Sequence, residues 1–181
     1  MTQTSPRQLL DQSEVLFSEE DVAAAIQQLA AEVSNVLTDS EPLVLCVMSG
    51  ATVFAGHLLP LLKFPLEFDY VQASRYHNRT TGGDDVVWKM SPGENVRGRT
   101  LLLLDDILDE GHTLAAVRKK CLEAGAARVL IAVLTEKETG HEKPVRADFV
   151  GLTVPNRYVF GCGMDVYGWW RNLPAIHALK N

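Results

Sequence analysis

Apolar and polar positions along the chain fall into a series of short helices and strands that take turns. Val22, Ile26, Leu29, Val33 and Val36 recur at helical spacing behind Ser18 and Asp21, which together resemble a capping box. The pattern predicts a helix over residues 18–37, and the stretch from Asp39 to Pro42 breaks it. Residues 43–48 are an unbroken apolar run between a proline and a Ser-Gly pair, which reads as a strand buried on both faces. Residues 52–62 read as a helix with Phe54, Leu58, Leu61 and Leu62 turned inward, and residues 66–74 as a strand. Residues 75–85 (RYHNRTTGGDD) lack periodicity and are rich in turn formers, the marks of a long mobile loop. A short strand over 86–90 and a turn over 91–98 follow. Residues 100–105 form a second buried strand, which ends in carboxylates. Residues 113–124 form a helix with Leu114, Val117 and Cys121 on one face and Gly125 as its stop. Residues 128–134 are a third buried strand, 149–154 and 158–160 are shorter ones, and residues 1–17 read as an N-terminal arm.

Alternation of helices with wholly apolar strands predicts an α/β fold, a mostly parallel central sheet flanked by helices. A length of 181 residues fits a single domain spanning 1–181. Ligands of such folds bind beyond the carboxyl ends of the strands, so chemistry is expected in the loops after Met48, Asp106 and Leu134.

Composition narrows the classes. No apolar run approaches the roughly 18 residues of a membrane helix, and the N-terminus lacks a basic region followed by an apolar stretch, so neither a membrane protein nor a secreted one is expected. The net charge of -6 argues against general affinity for nucleic acid. An anionic ligand would need a local positive field from backbone amides or a metal ion. Cys46, Cys121 and Cys162 are widely spaced and form no metal pattern. They read as free thiols in a reducing cytoplasm, with Cys46 and Cys121 as core residues. His57, His77, His141 and His177 likewise form no metal spacing and read as solvent-facing.

The most informative stretch is LLLLDDILDEGHTL, residues 101–114. An apolar strand runs into Asp105-Asp106, and a short loop then opens a helix. A helix N-terminus offers unpaired N–H groups and a positive dipole end, both suited to phosphate. Gly111 permits a close backbone approach, and Thr113 adds a hydroxyl. The paired acids suit ribose hydroxyls, with Mg²⁺ nearby. A plain strand-to-helix turn with solvated acids is the alternative. The segment lacks the GxxxxGK[ST] of a P-loop and the GxGxxG of a dinucleotide fold.

This segment resembles the phosphoribosyl pyrophosphate signature of type I phosphoribosyltransferases: four apolar residues, two acids, two apolar residues, then D-T-G-x-T. Within that class the chain is similar to the hypoxanthine-guanine phosphoribosyltransferases from about Leu43 to about Leu173. The resemblance implies a core sheet with a small hood formed by terminal segments, Mg²⁺ as cofactor, a homodimer or homotetramer, and a cytoplasmic enzyme. It implies that Asp105 and Asp106 hold the ribose hydroxyls, that Asp109 acts on the proton at purine N7, and that Glu110, Gly111, His112 and Thr113 surround the 5′-phosphate. Ser49 and Gly50 match the pyrophosphate loop, Arg75 and Tyr76 begin a lid over 75–85, and Arg171 contacts pyrophosphate. Lys137 matches the donor to purine O6, Tyr158 stacks on the base, Val159 offers backbone groups to its edge, and Asp165 reaches the base edge or Mg²⁺. The metal would thus have Asp105, Asp106 and Asp165 around it.

Three positions depart from the family pattern. Ser49 stands where lysine is usual, Glu110 where threonine is usual, and Arg75 where serine begins the lid. The resemblance implies purine salvage, with transfer of the 5-phosphoribosyl group from phosphoribosyl pyrophosphate to a 6-oxopurine, hypoxanthine or guanine, giving IMP or GMP and pyrophosphate. A xanthine-preferring transferase, and a nucleotide- or RNA-binding regulator with little or no turnover, are the competing readings. Taken singly, Lys137 also fits an exposed loop lysine, Tyr158 a packed aromatic, Asp165 a turn acid and Arg171 a surface side chain stacked on an indole.

Overall fold

The computed structural model describes residues 5–75 and 86–180. Helix α1 (Pro6–Asp11) and strand β1 (Ser13–Phe17) precede the long helix α2 (Glu19–Leu37). Ser18 and Asp21 cap α2 reciprocally, as the sequence predicts. Its inward row ends on Leu37, while Val36 is exposed. Strand β2 (Leu43–Met48) leads into helix α3 (Thr52–Leu58). The helix expected to reach residue 62 tightens at Leu59–Leu61 into a 3-10 turn, because Pro60 has no N–H to continue the ladder. Leu61 is left exposed instead of inward. Strand β3 (Glu67–Arg75) and strand β4 (Val86–Met90) flank residues 76–85, the expected lid, which lie outside the described residues.

Strand β5 (Thr100–Leu108) runs three residues beyond the expected end. Ile107 and Leu108 pair with Thr135 and Glu136, so the two acids sit within the strand rather than at its end. Helix α4 (His112–Glu123) is stopped by Gly125 at φ 96°. Strands β6 (Arg128–Lys137), β7 (Phe149–Val154), β8 (Val159–Phe160) and β9 (Ile176–Leu179) complete the chain.

Six strands form the main sheet in the order β4-β3-β2-β5-β6-β7, all parallel except the edge strand β4. Successive residues of the central strands enter opposite cores. Val44, Cys46, Leu102, Leu104, Ala132 and Leu134 pack under α2 and α3. Leu43, Leu45, Leu101, Leu103, Ile131 and Val133 pack under α4. Burial on both faces is why these strands read as unbroken apolar runs.

The terminal segments build a second, antiparallel sheet, β1-β9-β8. This is the expected hood. The arm expected over 1–17 is therefore structured from Pro6 onward: β1 pairs with β9, and Trp170 Nε1 donates to the Pro6 carbonyl at 2.6 Å. His177, expected to face solvent, stacks on Phe160 with ring centroids 5.4 Å apart, and its Nδ1 lies 3.1 Å from Ser13 Oγ.

Candidate active site

Asp105 and Asp106 are only 8% and 7% exposed. Burial pushes the Asp105 carboxyl well above the usual carboxylate range, and the charge of Asp106 beside it adds to the shift. Burial also raises Asp106, against the opposing pull of its hydrogen bond to Asp105 and the nearby Arg171. The Asp106 amide donates to Asp105 Oδ1 at 3.0 Å, and Thr135 Oγ1 donates to the Asp106 carbonyl at 2.9 Å, which fixes the backbone beneath the pair. Two buried carboxylates in this state gain from hydroxyl donors or a cation.

Past the strand, Gly111 takes φ 81° and caps α4 with its backbone alone. A β-carbon there would lie 3.3 Å from both Leu108 and Val145 side-chain atoms, so the turn is set tightly against β5. Gly111, His112 and Thr113 thereby open onto the cleft at the N-terminal end of a 12-residue helix. Glu110 Oε2 meets His141 Nε2 at 2.9 Å, at the cradle's outer side. Asp109 Oδ2 meets Lys137 Nζ at 2.6 Å, and the Lys137 side chain is only 12% exposed. Lys143 donates to the carbonyls of Leu108 (3.0 Å) and Lys137 (2.6 Å) and pairs with Glu136. It thereby ties the ends of β5 and β6 together beneath that ion pair.

The opposite wall is the turn after β2, with a cis peptide between Met48 and Ser49. A β-carbon on Gly50 would stand 2.2 Å from Asp106 Oδ2, and one on Gly163 would stand 2.0 Å from the Gly50 carbonyl. Glycine at both positions lets β5, the β2 turn and the hood meet. From the hood, Asp165 pairs with Arg171, which also donates to the Gly163 carbonyl, and the Gly168 amide donates to Asp165 Oδ2 at 2.7 Å. Tyr158 is 45% exposed, with Tyr167 5.7 Å away between ring centroids, leaving an aromatic face at the cleft mouth.

Most of these residues line one cleft of about 600 Å³. Asp105, Asp106, Asp109, Glu110, Gly111, His112, Thr113, Ser49, Gly50, Lys137, Tyr158, Val159, Asp165 and Arg171 all contribute to it. Arg75 ends β3, and Tyr76 lies outside the described residues. Sequence reasoning missed Lys89, Gln72 and Met164 on the lining, and Gly163 and Lys143 behind it. Only the glycine carried a signal, as a small residue in a turn-rich tail.

Comparison with known proteins places this architecture. The phosphoribosyl transferase domain family matches residues 12–167. The hypoxanthine-guanine phosphoribosyltransferase of Bacillus subtilis is 34% identical over 170 residues, 94% of each chain. The hypoxanthine-guanine-xanthine phosphoribosyltransferase of Tritrichomonas foetus is 34% identical over 171 residues, 94% of this chain and 93% of that one. Among solved structures, a hypoxanthine phosphoribosyltransferase from Staphylococcus aureus superposes with a TM-score of 0.88 at 25% identity, covering 98% of this chain and 97% of its own. The fold is that of the type I phosphoribosyltransferases. The chain belongs to the phosphoribosyltransferase family, in the group of the hypoxanthine-guanine enzymes.

Proposed function

We propose that this chain is a purine-salvage transferase that moves the 5-phosphoribosyl group from phosphoribosyl pyrophosphate to hypoxanthine or guanine, releasing pyrophosphate. The observation that carries the reading is the convergence, in one cleft, of the buried pair Asp105–Asp106, the helix cradle 111–113 and the ion pair Asp109–Lys137.

The geometry supports the following roles. Asp105 and Asp106 accept the ribose hydroxyls, whose donors answer the pair's raised pKa. The amides and Thr113 hydroxyl at the start of α4 bind the 5′-phosphate. Tyr158 stacks on the purine, Val159 borders the base edge, and Lys137 donates to O6, which an exocyclic amine cannot accept; this disfavours adenine. Asp109 then stands beside N7: as N9 bonds to the ribose carbon positive charge builds on the ring, and Asp109 stabilises that charge and takes up the N7 proton, which relieves it. Ser49, Gly50 and Arg171 border the pyrophosphate. The bond from the ribose carbon to pyrophosphate breaks early, so rate comes chiefly from position and charge.

The acid pair also fits Mg²⁺. No cluster of three His, Cys, Asp or Glu side chains forms a protein cage among the described residues. A hard ion held by one or two carboxylates and completed by substrate oxygens matches Asp105 and Asp106, with Asp165 across the cleft. When bound, Mg²⁺ supplies charge neutralisation to the departing pyrophosphate.

The working unit is a homodimer or homotetramer in the cytoplasm. In support, Phe68, Tyr70 and Val87 are exposed apolar side chains on neighbouring strands β3 and β4. Sedimentation should show an oligomer, with Phe68→Asp shifting it toward monomer; an unshifted oligomer would move the interface elsewhere.

The deciding assay offers phosphoribosyl pyrophosphate and Mg²⁺ with hypoxanthine, guanine, xanthine, adenine or uracil. Turnover of hypoxanthine or guanine with adenine and uracil inert is expected. No turnover with any base would overturn the reading, and a dominant rate with xanthine would revise the substrate.

A further inference from the structure

Among the described residues the cleft holds more acid than base. Five carboxylates line it, and the described lysine and arginine side chains there are three: Lys89, Lys137 and Arg171. Two of these are already engaged, Lys137 with Asp109 and Arg171 with Asp165. Lys89 makes no ion pair with any described residue. At the turn after β2, Ser49 and Gly50 line the cleft and bring no side-chain charge.

The position of Lys89 follows from a fault in the sheet. Gln72 pairs with Met90 and Ala73 with Trp88, so Lys89 is the extra residue of a β-bulge. Bulges on edge strands re-aim the side chain they insert. Trp88 packs into the core beneath α4, while Lys89 stays exposed and lines the cleft. Gln72 also pairs with Met48 on its other side, so one row of residues runs Met48, Gln72, Met90 across three strands. With strands about 4.8 Å apart, Lys89 projects from a point about 10 Å from the residue before Ser49-Gly50. A bound pyrophosphate and a four-carbon lysine stem span that gap.

We propose that Lys89 is a pyrophosphate-binding residue, the bulge having placed on β4 a positive charge that faces the uncharged turn after β2. This rests on the transferase reading above. An ammonium at this point pairs with the oxygens of the pyrophosphate group both in phosphoribosyl pyrophosphate and in the free product.

The test uses Lys89→Met and Lys89→Arg in steady-state assays run in both directions. For Lys89→Met, KM for phosphoribosyl pyrophosphate and for pyrophosphate should each rise about tenfold, the scale of one lost charge-assisted contact. KM for the purine and for the nucleoside monophosphate should stay put, and Lys89→Arg should keep most of the affinity. Unchanged KM for both pyrophosphate-bearing ligands would overturn the proposal. So would a rise for the nucleoside monophosphate, which would put Lys89 on the 5′-phosphate. A loss that Lys89→Arg fails to restore, with a lowered unfolding midpoint, would make the role structural and also overturn it. Calorimetric titration with magnesium pyrophosphate keeps the two readings apart. Weaker binding to Lys89→Met supports the Lys89 assignment even if the wild-type chain turns over no purine, a result that would sink the transferase reading alone.

Discussion

Asp109 and Lys137 hold each other at 2.6 Å, so the residue assigned to the purine proton and the residue assigned to the purine carbonyl are partners within the cleft. The pair orients both groups in a half-enclosed place. Under the proposed roles an incoming base separates them, O6 accepting from the ammonium and N7–H donating to the carboxylate. Asp109→Asn preserves shape and removes the charge. The expected result is a kcat lower by about a hundredfold or more, the usual worth of a positioned proton acceptor, with KM for phosphoribosyl pyrophosphate little changed. Unaltered turnover would take Asp109 out of the mechanism. Glu110 is the opposite case, a carboxylate beside the proposed phosphate cradle, with His141 Nε2 at 2.9 Å. Glu110→Thr should lower KM for phosphoribosyl pyrophosphate about threefold to tenfold, the scale of one half-exposed like charge; a rise would show that the Glu110–His141 pair helps to form the cradle.

At the level of elements, the site is a meeting of three backbones: β5, the turn after β2, and the hood loop. Gly163, at φ 103°, lies where a β-carbon would overlap the Gly50 carbonyl, and Gly50 lies where one would overlap Asp106. Gly163→Ala should therefore cost about 2–4 kcal/mol, from the left-handed backbone and the overlap together. It should be read as a lower urea midpoint with activity falling in parallel, since the displaced loop carries Asp165. A wild-type midpoint would mean that the hood docks loosely. These long-range approaches explain what the sequence concealed. The strand-helix alternation, the capping of α2 and the acid-bearing loop after β5 are local patterns and could be read directly. The extension of β5 past its acids could not, because buried carboxylates within a strand go against composition and become sensible only at a ligand-facing sheet end. β9 was hidden for a related reason: four residues among turn-formers show alternation only once β1 arrives from the other end of the chain. Lys89 was invisible because a bulge breaks the two-residue period by which strand faces are assigned.

The two large cores of the molecule lie on opposite faces of the main sheet, and the three cysteines are distributed between them. Cys46 and Cys162 lie in the core under α2 and α3, Cys121 in the core under α4, and all three are buried free thiols. Burial pushes each thiol up to about 11 from an ordinary value of 9.0, with Asp105 and Asp106 adding to the effect at Cys46. The folded value lies above the unfolded one, so the native state holds protons that the unfolded chain releases first. The thiols' contribution to stability is complete below pH 9 and is lost as pH climbs through 11. Urea midpoints taken from pH 8 to 11 should fall across that window, and a variant with all three cysteines replaced by alanine should fall less steeply, because lysines and tyrosines titrate equally in both proteins. Ellman's reagent provides the kinetic counterpart: near-zero reaction in the native state at pH 8, and three thiols per chain in denaturant. Rapid native reaction of one thiol, with the other two slow, would show that one core opens without the other and that the sheet does not bind the two into a single cooperative unit.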